Sequence, residues 1–207
     1  MSENAPTRHD DPIVIAGMSV EAPGGISTPG EFHRALAEGA DLMGPLPRDR
    51  GWPVEQLLAL EAVPGWGPVP DAGGFLTGGA EFDPLFFGLS PREAAAMDPQ
   101  QRVAMRVAWR ALENAGIDPS SVRDTEVGVY FGASITEYGP RAAAVNEFSG
   151  HRIAGTALGA VSGRISHALG TVGPSMTVDS ACASSINALH LAVNAVRDGE
   201  CDWALAG

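Results

Sequence analysis

The sequence predicts an α/β layered fold, and three observations carry that prediction. Short apolar runs rich in β-branched residues alternate with longer stretches of helical period, the pattern of strand–helix–strand units. Apolar residues make up 44% and charged residues 18% of the chain, enough to bury a core. Gly (26) and Pro (16) form about a fifth of the 207 residues without a G-X-Y period, so they read as turns between elements.

The elements follow in order. Residues 1–11 read as a disordered polar tail, and 12–207 as one structured region. Ile13–Ala16 (IVIA), closed by Gly17, predicts a buried strand. Residues 21–29 form a loop, then a short helix starts at Thr28 or Pro29, turns Phe32 and Leu36 inward and stops at Gly39. The stretch 44–79, rich in Gly and Pro, is irregular, with Trp52 and Trp66 as packing residues and one or two helical turns within Val54–Ala62. Phe82, Phe86 and Phe87 anchor the chain to the core. Asp98 as N-cap, Pro99 in first position and Gln101 as capping-box partner open a strong helix. Its stripe is Val103, Val107 and Ala111 with Ala104, Ala108 and Leu112, and Gly116 ends it. Val127–Phe131 predicts a second buried strand. Residues 155–169 predict one helix in which Gly155, Gly159 and Gly163 trade about 1 kcal/mol each for close backbone approach. Met176–Val178 is a strand, Ala183–Arg197 a helix packing by Ile186, Leu189, Val193 and Val196, and Asp202–Gly207 opens a last strand. About four strands and no internal repeat predict an incomplete piece of a larger domain.

Composition excludes several functions. The net charge of −12 argues against nucleic-acid and anionic-membrane binding. No lysine occurs, and all 13 basic residues are Arg, which removes the P-loop, Schiff-base and kinase chemistries that need Lys. Two cysteines with no histidine cluster beside them do not make a zinc site, so no metal is expected. No run of 18 uncharged apolar residues and no secretory leader are present, so a cytoplasmic protein with reduced thiols is expected.

One segment carries chemistry. In Val178–Ser185 (VDSACASS) a strand runs into a helix through small residues, with Cys182 at the turn. A helix start offers free N–H groups and the positive end of the macrodipole, which favour a thiolate and can face a developing oxyanion. Read without wider context, a buried inert cysteine fits this position as well. Cys201 reads as packing. His190 lies eight residues along the helix from Cys182, about 12 Å at 1.5 Å per residue, beyond a hydrogen bond. His33, His151 and His167 read as solvated or packing residues, and His9 lies in the tail.

DSACASSINALHLA resembles the active-site segment of β-ketoacyl synthases, specifically the ketosynthase domains of modular type I polyketide synthases. DPIVIAGMSVEAPGG, PLPRDRGW, GGFL, FDPLFFGLSPREAAAMDPQQRVAMRVAWRALENAGI, VGVYFGAS and GTALGAVSGRISHALGTVGPSMTVDSACASS resemble further family segments in the same order, so the likeness runs from Asp11 to Gly207. It implies the N-terminal half of a thiolase-like α-β-α-β-α sandwich and a homodimer, with the strand before Cys182 near the two-fold. It also implies Cys182 as acyl acceptor. The condensation partner would be a malonyl-type extender on an acyl carrier protein, whose phosphopantetheine arm is a substrate tether and not a bound cofactor. The family's HGTGT and KSNIGH segments, which supply two histidines, do not occur in this sequence, so the 207 residues alone are expected to be inactive. Many relatives carry Thr where Ser180 stands and Ser where Ala183 stands; small side chains are kept either way. Arg48 and Arg50 read first as a solvated loop and second as contacts for an acidic carrier. Two other readings are a non-catalytic ketosynthase-like partner, against which Cys182 counts, and a chalcone-synthase-like enzyme, against which the FFGLSPREAAAMDPQQR block counts.

Overall fold

The computed structural model describes residues 11–60, 67–136, 138 and 150–207. The tail assigned to 1–11 and the packing role of Trp66 fall almost wholly outside these residues. The chain divides into two compact units, Ser19–Glu81 and the remainder on either side of it.

Among its described residues the Ser19–Glu81 unit holds two helices, α1 (Pro29–Glu38) and α2 (Val54–Leu58). Helix α1 starts and stops where its local chemistry dictates. The Thr28 hydroxyl accepts from the Glu31 N–H, the Glu31 carboxylate accepts from the Thr28 N–H, and Gly39 closes the helix in the left-handed region at φ 62°. Its predicted apolar face is not covered by the described residues: Phe32 and Leu36 are exposed. The irregular stretch is held by side chains. Arg48 pairs with Glu55 and Asp71, both at 3.3 Å, Trp52 meets Phe75 edge-on at 5.9 Å, and Gly44 and Gly73 form an antiparallel bridge.

The larger unit is built on a parallel three-stranded sheet in the order β2–β1–β3, from β1 (Val127–Gly132), β2 (Ser175–Val178) and β3 (Trp203–Ala206). Val129 faces Ser175 in β2 and Leu205 in β3. Five of the six β1 residues are buried, as a central parallel strand requires. Strand alternation divides the core. Val127, Val129 and Phe131 face α4 (Pro99–Asn114) and α6 (Ala160–Leu169), whereas Tyr130 faces α7 (Ser184–Asp198). The outcome is a helix–sheet–helix stack.

Several expectations change here. Ile13–Ala16 forms no strand, and Val14 (74%) and Ile15 (70%) are exposed. An apolar run becomes a strand only when it pairs along a ladder, and 13–16 pairs with neither outer edge of the sheet. Among the described residues the sheet accordingly has three strands and not four. Phe82 and Phe87 stack at 5.1 Å on the core, but Phe86 is half exposed and meets Trp109 edge-on at 4.8 Å. Gln101 is not a capping-box partner. Its buried amide donates to the Ala154 and Ala157 carbonyls, while Asp98 accepts from the Gln100 N–H. Helix α4 buries Ala104, Ala108 and Leu112 of the expected stripe, with Val107 and Ala111 packed half-buried beside them, and adds Gln101 and Met105 to the buried face. Helix α3 (Pro91–Ala96), capped by Ser90, precedes it unforeseen.

The expected helix 155–169 is two: α5 (Arg152–Thr156) and α6, parted where Ala157 turns extended at ψ 128°. Only Gly155 serves close approach. A Cβ there would run into the Ala96 carbonyl, whereas Gly159 and Gly163 have nothing within 4 Å. Helix α7 packs by Ala188, Ala192 and Ala195, while Ile186 and Leu189 are exposed. Gly132 on β1 lets the start of α7 come backbone to backbone, and the small side chains of Ala188, Ala192 and Ala195 pack with Tyr130 and Cys201.

Candidate active site

The end of β1 and the start of α7 fix the position of Cys182. A Cβ on Gly132 would stand 2.5 Å from the Ser184 carbonyl carbon and equally close to the Ser185 nitrogen, so the two backbones touch. The Ala133 N–H donates to the Val178 carbonyl at 3.1 Å, tying the exits of β1 and β2 together.

Between β2 and α7 the chain makes a sharp turn. Ala181 stands at φ 54°, in the left-handed region, at a cost of about 1–2 kcal/mol for a residue with a Cβ. Cys182 follows it in a 3-10 turn, Ala181–Ala183, which feeds directly into α7, and its side chain is exposed. Short polar side chains hold this geometry. The buried Ser184 hydroxyl accepts from the Ser180 N–H at 2.9 Å and donates to the Ala181 carbonyl at 2.7 Å. Asn187 donates to the Ser180 hydroxyl at 2.7 Å. Asp179 Oδ1 accepts from the Ala181 N–H at 3.1 Å and from the Ser134 hydroxyl at 3.0 Å. Ser134 is held in turn by Gln100, whose amide donates to the Ser134 carbonyl at 2.9 Å and accepts from its N–H at 3.4 Å.

The small-residue strand-to-helix passage read from the sequence is therefore present, and the sulfur sits on the outside of it. Asp179 and Ser184 lie in the segment read from the sequence without a role of their own there, and Ser134 and Asn187 were not singled out. The available signal was the short polar side chains bracketing the cysteine, a type that bonds nearby backbone.

The other candidates lie elsewhere. Cys201 is buried at 1% exposure, and burial pushes its thiol above the ordinary value. His190 is exposed and its ring bonds Asn194 at 3.0 Å. His33 and His167 are exposed and His151 is half-buried, while His9 is outside the described residues. Arg48 is engaged by its two carboxylates, and Arg50 lies against Phe75 and donates to the Leu76 carbonyl. Among the described residues no group of three or more His, Cys, Asp and Glu side chains could hold a metal ion, and no helix is long and apolar enough to cross a membrane.

Comparison with known proteins places this geometry. The family model described as the β-ketoacyl synthase N-terminal domain matches residues 10–207. A pikromycin polyketide synthase component of Streptomyces venezuelae is 47% identical over 97% of this chain, which spans 13% of that protein. An erythronolide synthase of Saccharopolyspora erythraea is 44% identical over 99% of this chain, which spans 6% of it. Among solved structures, an oxazolomycin ketosynthase domain of Streptomyces albus JA3453 superposes with a TM-score of 0.77 at 32% identity, covering 95% of this chain and 34% of that one. The helix–sheet–helix stack is thus part of a thiolase-like fold, and the chain covers about a third of the solved ketosynthase's length. The chain belongs to the β-ketoacyl synthase family, as its N-terminal domain.

Proposed function

We propose that this chain supplies the acyl-accepting half of a modular polyketide ketosynthase, with Cys182 as the nucleophile. The observation that carries the reading is the exposed Cys182 on a left-handed turn at the head of α7, within a chain of this family. The Cys182 sulfur attacks the carbonyl of an acyl thioester borne on the phosphopantetheine arm of an acyl carrier protein. The C–S bond to the arm breaks, and the arm leaves as a thiol. A malonyl-type thioester then loses CO2. The resulting carbanion attacks the Cys182 thioester and expels the cysteine sulfur, giving a β-ketoacyl product. In the whole ketosynthase, the exposed Val14, Ile15, Met176 and Ile186 are faces for the rest of the domain and its two-fold mate to cover.

The test is acylation of the full polypeptide by an acyl thioester, with the adduct mapped by mass spectrometry. The expected adduct is on Cys182. An adduct elsewhere, or none, overturns the assignment. Residues 1–207 alone are expected to yield no β-ketoacyl product, and measurable product from them contradicts the reading.

A further inference from the structure

We propose that Asp179 is a positioning residue for Cys182, with Ser134 as its partner. The inference rests on Cys182 being the acyl acceptor. Three observations lead to it. Ala181, next to Cys182, holds a backbone conformation that a residue with a Cβ adopts only under restraint. One oxygen of Asp179, Oδ1, accepts from the Ala181 N–H at 3.1 Å and so restrains that residue from two positions back. The same oxygen accepts from the Ser134 hydroxyl at 3.0 Å, across 45 residues of sequence.

Ser134 is not free to follow a drifting turn. The Gln100 side chain grips its backbone on both sides at 2.9 and 3.4 Å, and Gln100 belongs to the first turn of α4, where its N–H is capped by Asp98 at 2.8 Å. The Asp98 carboxylate also takes the Thr136 hydroxyl, two residues beyond Ser134. Asp179 therefore connects the strained turn to the 16-residue helix α4 by way of Ser134 and the Gln100 side chain. Ser184 and Asn187 brace the turn from α7, the element that follows it. Asp179 braces it from the opposite side. What the role requires of residue 179 is an acceptor oxygen at this reach.

The experiment is the acylation half-reaction in the full polypeptide, followed at Cys182 by mass spectrometry over a range of acyl-thioester concentration, with thermal unfolding measured alongside. For Asp179→Ala the saturating acylation rate is expected to fall about 10–100-fold, while the half-saturating thioester concentration changes by less than about three-fold, because a misplaced sulfur slows bond formation without weakening binding. Asp179→Asn keeps an acceptor oxygen and recovers most of the loss. Ser134→Ala removes one bond to that oxygen and costs about 3–10-fold. If Asp179→Ala unfolds, Ser134→Ala and Asp179→Asn carry the test. Acylation of Asp179→Ala within about three-fold of the parent rate overturns the proposal. So does Ser134→Ala at the parent rate, or an Asp179→Asn variant as slow as Asp179→Ala. Absence of any Cys182 adduct in the parent protein overturns instead the reading on which the proposal rests.

Discussion

Gly132 and Ser185 meet backbone against backbone: a Cβ on Gly132 would lie 2.8 Å from the Ser185 Cα. The end of the central strand is the seat of the helix that presents Cys182.

Replacing Gly132 by Ala therefore has to displace α7 or bend β1. The expected cost is about 1–3 kcal/mol of stability, the usual range for forcing a methyl into packed space. Acylation of Cys182 is expected to fall about 100-fold with it, since the sulfur moves with the helix start. Thermal unfolding and adduct formation by mass spectrometry check both effects.

The small residues of the 155–169 stretch separate by the same reasoning. Gly155→Ala puts a Cβ within 2.8 Å of the Ala96 carbonyl carbon and is expected to destabilise by about 1–3 kcal/mol. Gly163 lies inside α6 with nothing within 4 Å, so Gly163→Ala is expected to stabilise by about 0.5–1 kcal/mol. Unfolding midpoints of the two variants should move in opposite directions.

The two thiols should react differently. Iodoacetamide is expected to label the exposed Cys182 and spare the buried Cys201 in the native protein, with both labelled in denaturant. Peptide mapping reads the result.

Alkaline pH should weaken the α7 side of the sheet. Burial raises the Cys201 thiol above its ordinary 9.0 and the Tyr130 phenol above its ordinary 10.0. Well below pH 9 both groups are protonated folded or unfolded and contribute no slope. Above it the unfolded chain releases protons that the folded chain retains, so stability falls as pH rises. Denaturation midpoints from pH 8 to 11 should drop, and less steeply in Cys201→Ala.

Acid should fray α1. Hydrogen bonds, first from the Ser27 N–H, hold the Glu31 carboxyl below its ordinary 4.5. That support is complete above 4.5 and is lost as pH falls through the lowered value in the folded chain. Amide exchange of α1 at pH 3 should exceed that at pH 6 after correction for intrinsic rates, and Glu31→Gln should remove most of the difference.

What the sequence disclosed followed the range of the interactions involved. Helix α1 was legible at both ends because each signal is local: Thr28 and Glu31 act within one turn at its start, and Gly39 bonds the last turn at its end. Strand β1 was legible because a central parallel strand is apolar throughout. The passage into α7 was legible as small residues around Cys182. Ile13–Ala16 misled because pairing depends on a second strand and not on apolarity alone. The face of α7 misled because its packed side is set by residues distant in sequence, Gly132 at its start and Tyr130 along it, which take alanines and leave Ile186 and Leu189 exposed. The break between α5 and α6 coincides with Gln101 reaching the Ala154 and Ala157 carbonyls from another helix. The Asp179–Ser134 bond spans 45 residues, and no local pattern announces it.

The strand order has a consequence for biosynthesis. The middle strand is made first, and its neighbours emerge later, ending at Val178 and Ala206. At about 5–20 residues per second, the ribosome needs roughly 4–15 s to travel from Gly132 to Ala206. Until β2 has emerged, both hydrogen-bonding edges of a nascent Val127–Phe131 are open, and until β3 follows one of them still is, so the emerging chain presents a sticky, chaperone-accessible ribbon until the flanking strands arrive.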